Sequence, residues 1–339
     1  MTDGPCASPA SAGAPGAGPT AGRHPEAPAA PAAPVEATGP GPVLVAGAYS
    51  VDLVFREPAG PVAYGTEVWA KGFGMVPGGA FTLAMGLRRL GHDVVWAADF
   101  GDDVFSKHVL ATARDEHLDE RGFRHHARPV RNITVALSHP GDRAMVSYED
   151  PVPSRPLAEL IATHRPAALM LPYLQYGPEV SEALDVAART GTKVLMDCQD
   201  RPGSIGMPEV RKALGQVDVF APNAAEALRV TGARTVDEAL EVLADLVPTV
   251  VIKRDREGAV AVGNGERAAL QAPPVEVVDT TGAGDCFNVG FLHRRLAGGT
   301  LAACLAAGVA CGTASVTAAG SSAAPDTAGL RRWLARVTS

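Results

Sequence analysis

Asp285 stands directly after Gly282-Ala283-Gly284 and directly before the mostly apolar run Cys286-Phe287-Asn288-Val289-Gly290-Phe291-Leu292. Two glycines separated by one small residue let backbone N–H groups turn inward at the start of a helix. The unpaired amides and the positive end of the helix dipole favour an anion there, typically a phosphate. A carboxylate at that spot has two readings. It caps the helix, or it stands beside the bound phosphate as the base for an incoming hydroxyl. Just upstream, Val277-Val278 reads as a strand end, and Asp279 and Thr281 have side chains suited to turn hydrogen bonds. A second chemical pair, Asn223 and Glu226, follows Pro222. At that spacing both reach one side of a first helical turn. They form a capping box, or they organise a hydrated Mg²⁺, an ion that needs few protein ligands.

The elements that must hold these groups follow from hydrophobic pattern. From Ala167 the chain alternates: strands at 167–171, 193–197, 217–221 and 249–253, and helices at 178–189, 224–230 and 236–246. Such alternation argues for a mainly parallel sheet with helices on both faces. Upstream, Pro42 to Tyr49 reads as one buried strand with Asp52 just past its end, and Val94 to Ala98 as the next. Between them Gly78-Gly79 leads into a helix that Gly91 ends. Asp102 and Asp103 suit the cap of a helix starting at Phe105. Stretches 51–76 and 132–148 alternate like hairpins. Helices are expected at 301–317 and 330–337, the latter with Trp333 in the core, and the apolar helix after the glycine turn is expected to open at Asp285.

Composition narrows the function classes. A chain of 339 residues that is 46% hydrophobic can bury a large core. Its net charge of −7, with no basic run beyond Arg331-Arg332, argues against nucleic acid or an anionic membrane as partner. The five cysteines lack metal-ligand spacing and fit a reducing cytoplasm. His125 and His126 read as a solvated pair. Residues 1–41 are dominated by Ala, Pro and Gly and are expected to be a disordered tail before one domain at 42–337. That tail lacks the pattern of a secretory signal, and no later run is apolar enough to span a membrane.

The string Asp279-Thr280-Thr281-Gly282-Ala283-Gly284-Asp285-Cys286-Phe287 closely resembles the signature near the C-terminus of the ribokinase-like (PfkB) sugar and nucleoside kinases. The resemblance implies an α/β fold, a three-layer αβα sandwich with a mainly parallel central sheet. It also implies a small β-sheet lid, here from about 53–76 and 131–148, often used in dimer contacts. By it Asp285 is the catalytic base, and the amides of Gly282, Ala283 and Gly284 form the anion hole for the phosphoryl group of ATP. Asn223 and Glu226 organise Mg²⁺ and phosphate, with Asp197 near the phosphates. Asp52, Gly78, Gly79 and Thr82 face the acceptor, Thr82 standing where the family carries an asparagine. Lys253 and Gly258 belong to a strand and turn that approach the nucleotide, with Asp255 where a glycine is common. Family members that bind K⁺ do so around Asp279, Thr281 and the loop at Ala319-Gly320-Ser321-Ser322.

These features together predict ATP-dependent phosphorylation of a small carbohydrate. A nucleoside kinase of the same family and a non-catalytic sugar or nucleotide sensor are the alternatives. No Gly-x4-Gly-Lys-Ser/Thr pattern occurs, which excludes a P-loop enzyme, and a dinucleotide oxidoreductase is disfavoured because the third Rossmann glycine is missing.

Overall fold

The computed structural model describes residues 41–139, 142–199 and 201–338. The expected disordered tail lies outside these residues except for Gly41. The chain opens with β1 (Val43–Ala46) and, two residues on, enters β2 (Tyr49–Pro58) and β3 (Ala70–Gly79). Helix α1 (Ala80–Arg89), β4 (Val94–Phe100), α2 (Val104–Asp115) and a short β5 (Phe123–His125) follow. Next come β6 (Asn132–His139) and β7 (Asp142–Glu149), paired antiparallel. Helix and strand then alternate through α3 (Leu157–His164), β8 (Ala168–Leu171), α4 (Pro178–Thr190) and β9 (Lys193–Met196). Beyond these lie α5 (Pro208–Leu214), β10 (Val219–Phe220), α6 (Ala224–Thr231), α7 (Val236–Ala244) and β11 (Thr249–Lys253). The hairpin β12 (Ala259–Gly263) and β13 (Glu266–Leu270) leads to α8 (Ala283–Leu296), α9 (Leu301–Ser315) and α10 (Thr327–Val337).

Nine strands form one sheet in the order β13-β12-β11-β10-β9-β8-β1-β4-β5. From β11 to β5 neighbours run parallel, and β12 and β13 close one edge antiparallel. The parallel strands are short apolar runs because both faces are buried. Their side chains alternate between two cores. Val43, Val45, Met170, Leu195 and Val251 join α1, α8 and α9 on one face. Leu44, Leu169, Leu171, Val194, Val250 and Ile252 join α4 to α7 on the other. This is a three-layer αβα arrangement.

A second, four-stranded sheet has the order β3-β2-β6-β7. The single strand expected from Pro42 to Tyr49 is divided: it ends at Ala46, and Tyr49 already belongs to the small sheet. Asp52 is therefore a residue within β2 rather than one just past β1. Antiparallel register sets Ser50 opposite Gly78 and Asp52 opposite Val76. His126 also departs from expectation, since its Nε2 lies 2.7 Å from Asp99 Oδ1 while His125 is exposed. Trp333 is partly exposed beneath Arg336, whose guanidinium lies 4.2 Å from the ring centre.

Helices α8 and α9 cross closely, because a Cβ on Gly290 would sit 2.3 Å from the Ala307 carbonyl oxygen. This crossing seats the helix that begins at the glycine turn. Asp103 caps α2 by accepting from the amides of Phe105 and Ser106, as its position suggested. Replacing Gly290 by alanine brings about 1 kcal/mol of helix propensity, but the clash with backbone outweighs it. We expect Gly290→Ala to destabilise the fold by on the order of 2 kcal/mol net, measured as a lower urea midpoint at unchanged slope.

Candidate active site

Three neighbouring parallel strands deliver the polar groups at their carboxyl ends, where open α/β sheets bind ligands. Asp197 follows β9, Asn223 follows β10 after Ala221-Pro222, and Lys253 ends β11. A bridge pairs Asn223 with Lys253, whose amide donates to Pro222 O at 3.0 Å. The Lys253 ammonium lies 2.7 Å from Asp197 Oδ2, with Asp197 buried and the lysine partly so. Asp197 Oδ1 accepts from the amide of Cys198 at 2.7 Å.

Helix α8 enters this group from the opposite side. Its cap is Gly282, held at φ +75°, a conformation costly for a residue with a Cβ. The helix thus begins at Ala283, two residues earlier than expected, and Asp285 is its third residue rather than its start. The first α-helical bond is Cys286 N to Gly282 O at 2.9 Å, and the amide of Ala283 turns back to Thr280 O at 3.3 Å. The amides of Gly284 and Asp285 belong to the turn that has no helical acceptors. A Cβ on Gly284 would lie 3.3 Å from Lys253 Nζ. The ammonium therefore rests on the first turn of α8, adding a formal charge to its dipole.

Lys253 acts on Asp285 and Glu226 as well as pairing with Asp197, and Arg229 also acts on Glu226. Burial, then the Asp197 charge, push Asp285 up to about 7, Lys253 pulls it back, and Asp52 and Glu226 add to the upward push. Glu226 is raised as well, first by burial and then by Asp197. A carboxyl group that titrates near neutrality can hold or release a proton under ordinary conditions.

Asn223 and Glu226 form a complete capping box: Glu226 Oε2 accepts from the Asn223 amide at 2.8 Å, and Asn223 Oδ1 accepts from the Glu226 amide at 2.9 Å. The cap uses Oε2 and leaves Oε1 out of it. Among the described residues no cluster of three or more His, Cys, Asp or Glu side chains is arranged to enclose a metal ion. That donor set suits an ion that keeps its own waters, as Mg²⁺ does.

On the small-sheet side, Asp52 Oδ1 accepts from Ser50 Oγ at 3.1 Å, and a Cβ on Gly78 would lie 2.8 Å from Asp52 Oδ2. Gly79, at φ +63°, passes the chain from β3 into α1. Thr82 is fully buried with its hydroxyl 3.1 Å from Ser321 Oγ. It packs against the glycine turn, its methyl 3.3 Å from where a Gly282 Cβ would be. Asp279 ties the loops: Oδ1 accepts from Thr281 N and Oδ2 from Gly320 N, each at 2.9 Å. Thus Asp285, the glycine turn, Asp197, Lys253, Glu226 and Asp52 converge. Gly258 turns the chain from Lys253 toward β12. At φ +77° it passes 2.0 Å, measured from a would-be Cβ, from Leu270 O. Asp255 holds φ +49°, in the left-handed region that favours glycine. The sequence reading assigned no role to Asn288, whose Nδ2 donates to Asp197 Oδ2 at 2.5 Å. The signal was present as an amide in an apolar run, one helical turn from Asp285.

The model of the pfkB family carbohydrate kinases matches residues 43–328. The chain belongs to that family. It is therefore a phosphotransferase with an alcohol group as acceptor. Among curated relatives of this pfkB chain, a ribokinase of Bacillus subtilis is 25% identical over 260 residues, covering 74% of this chain and 84% of that one. A cytidine kinase of Thermococcus kodakarensis is 36% identical over 99 residues, 28% of this chain and 36% of the relative. In three dimensions the Arabidopsis thaliana ribokinase complexed with ribose and ATP matches with a TM-score of 0.71 at 20% identity, over 87% of this chain and 98% of that one. That likeness establishes the ribokinase-like fold.

The raised Asp285 has a sign that stability can test. The folded group holds its proton up to about pH 7, whereas the unfolded group ionises near 3.8, so its cost to stability grows as pH rises between those values and is full above 7. Asp285→Asn removes that cost. Its melting temperature should exceed wild type at pH 8, with the gain shrinking as pH falls below 7 and gone near pH 4. A gain independent of pH would contradict the assignment.

Proposed function

We propose that this pfkB kinase transfers the terminal phosphoryl group of MgATP to a hydroxyl of a small carbohydrate, with Asp285 as general base. The observation that carries the reading is the convergence of a near-neutral carboxyl group with the unpaired first turn of α8 and the ammonium of Lys253. Asp285 takes the proton as the acceptor oxygen attacks. The amides of Gly282, Gly284 and Asp285 hold the charge that develops on the phosphoryl oxygens, whereas the Ala283 amide, expected among them, is turned to Thr280 O. Asn223 and Glu226, the latter with the oxygen its cap does not use, are the residues that would hold Mg²⁺, which would supply positive charge to the phosphates. Asp52, Gly78 and Gly79 orient the acceptor from the small sheet, which covers it against water as a lid. Thr82 has its hydroxyl engaged by Ser321, so it shapes the acceptor pocket more than it reaches into it. Lys253 faces the nucleotide phosphates, while Gly258 serves the turn behind them.

K⁺ is part of the same proposal. Asp279 and Thr281 join the loops that would take it, the Asp279 carboxylate being fixed there by the amides of Thr281 and Gly320. A cytoplasmic setting is consistent with free Cys198, Cys286, Cys304 and Cys311, and no helix of the described residues is long and apolar enough to cross a membrane.

The test is ADP release from MgATP with D-ribose, D-fructose, sugar acids, sugar phosphates and cytidine, each with and without K⁺. One sugar should be turned over, faster with K⁺, and Asp285→Asn should cut that turnover by about 10²-fold or more. Wild-type turnover in the variant would overturn the mechanism, and turnover of cytidine alone would move the acceptor to the nucleosides.

We also propose that the small sheet pairs two copies of the chain. Phe73, Val146 and Tyr148 are exposed on one face of that sheet and leave an apolar patch there, of the kind that marks an interface. Size-exclusion chromatography should give a dimer for wild type and a monomer for Val146→Lys; a monomeric wild type rejects the pairing.

A further inference from the structure

The buried face of α8 is Cys286, Phe287, Val289, Phe291 and Leu292, with one amide among them, Asn288, itself 1% exposed. Its Nδ2 donates to Asp197 Oδ2 at 2.5 Å, the same oxygen that accepts from Lys253 Nζ at 2.7 Å. Its Oδ1 is buried with no hydrogen-bond partner. Turning the amide over would set that oxygen against the carboxylate, so the charge on Asp197 dictates its orientation. A leucine would fill the same volume in this apolar setting and leave no orphaned acceptor. The value of the amide therefore lies in what it does to Asp197.

Asp197 is held by donors from three directions: Asn288 on α8, Lys253 at the end of β11, and the amide of Cys198 in its own loop. Asn288 also sits one helical turn after Asp285, so it joins the helix of the base to the carboxylate that retains the lysine. We infer that Asn288 is a positioning residue: by fixing Asp197 it locks the Lys253 ammonium against the first turn of α8, beside Gly284 and Asp285. The anion hole thereby carries a formal positive charge as well as amide dipoles, and the base has a cation at a set distance. This deepens the reading of Asp285 as base and rests on it for its consequence in turnover.

The sign of the effect follows from the neighbours. Without the Asn288 donor, Asp197 bears a less compensated negative charge, and the lysine it retains is no longer held in place. Both changes favour the protonated form of Asp285. The test needs no substrate: ¹³C-carboxyl NMR titration of aspartate-labelled protein, with the Asp285 signal assigned from its loss in Asp285→Asn. The titration midpoint should rise by about half a pH unit or more in Asn288→Leu. Asn288→Ala removes the donor without adding bulk and should give the same direction if the leucine variant folds poorly. With the sugar that wild type turns over, kcat should fall about tenfold, with the acceptor KM within about twofold of wild type. An unmoved Asp285 midpoint in both variants, with only a changed melting temperature, overturns the assignment and leaves Asn288 as packing. Should Asp285→Asn itself retain turnover, the base reading fails, whatever the Asn288 variants do to the midpoint.

Discussion

The ion pair between Lys253 and Asp197 is the contact on which the rest of the site depends. Two opposite charges at 2.7 Å with almost no solvent access are unfavourable to bury unless both are well satisfied. Here the carboxylate receives further donors from Asn288 and Cys198. What the pair accomplishes is charge balance. Asp52, Asp197, Glu226 and Asp285 crowd one region, and the lysine brings positive charge among them. Without it, burial and repulsion would push Asp285 and Glu226 further toward their neutral forms. With it, the carboxyl group at the helix start is left near the point where a proton comes and goes.

The architecture supplies this balance cheaply because the participants sit on rigid ends. β9, β10 and β11 are adjacent and parallel, so their last residues lie side by side without any long loop having to be ordered. Helix α8 is pressed against α9 by Gly290 and reaches the same level from the other core. Thr82, Ser321 and Asp279 then tie three separate segments around the glycine turn through short polar contacts. The turn is held from all sides before any ligand arrives.

Much of this was legible in the sequence, and the boundary of legibility has physical causes. The string from Asp279 to Phe287 carried its own geometry, since a left-handed glycine cap and small neighbours admit few conformations. Asn223 and Glu226 were readable as a box because a cap is local. Lys253 was harder, for its partner is 56 residues away and only sheet order brings them together. Asp52 was set just past the first strand because Val43 to Tyr49 was read as one strand ending in a glycine turn, and Gly47 does not say by itself that the chain enters a second sheet there. Asn288 was visible as an amide in an apolar stretch, yet its significance appears only when Asp197 is opposite it.

The joint between the two sheets has a mechanical consequence. Only Gly47 and Ala48 separate β1 from β2, and β3 runs into α1 with no intervening residue. The small sheet is thus a stiff lever with almost no slack at its fulcrum. Any swing of its outer edge must be absorbed within a few backbone torsions around Ala48 and Gly79, the latter already in the left-handed region. Those torsions lie within three residues of Ser50 and Thr82. A displacement of several ångströms at the rim is geared down to a fraction of that at the fulcrum, where Ser50 and Thr82 are anchored.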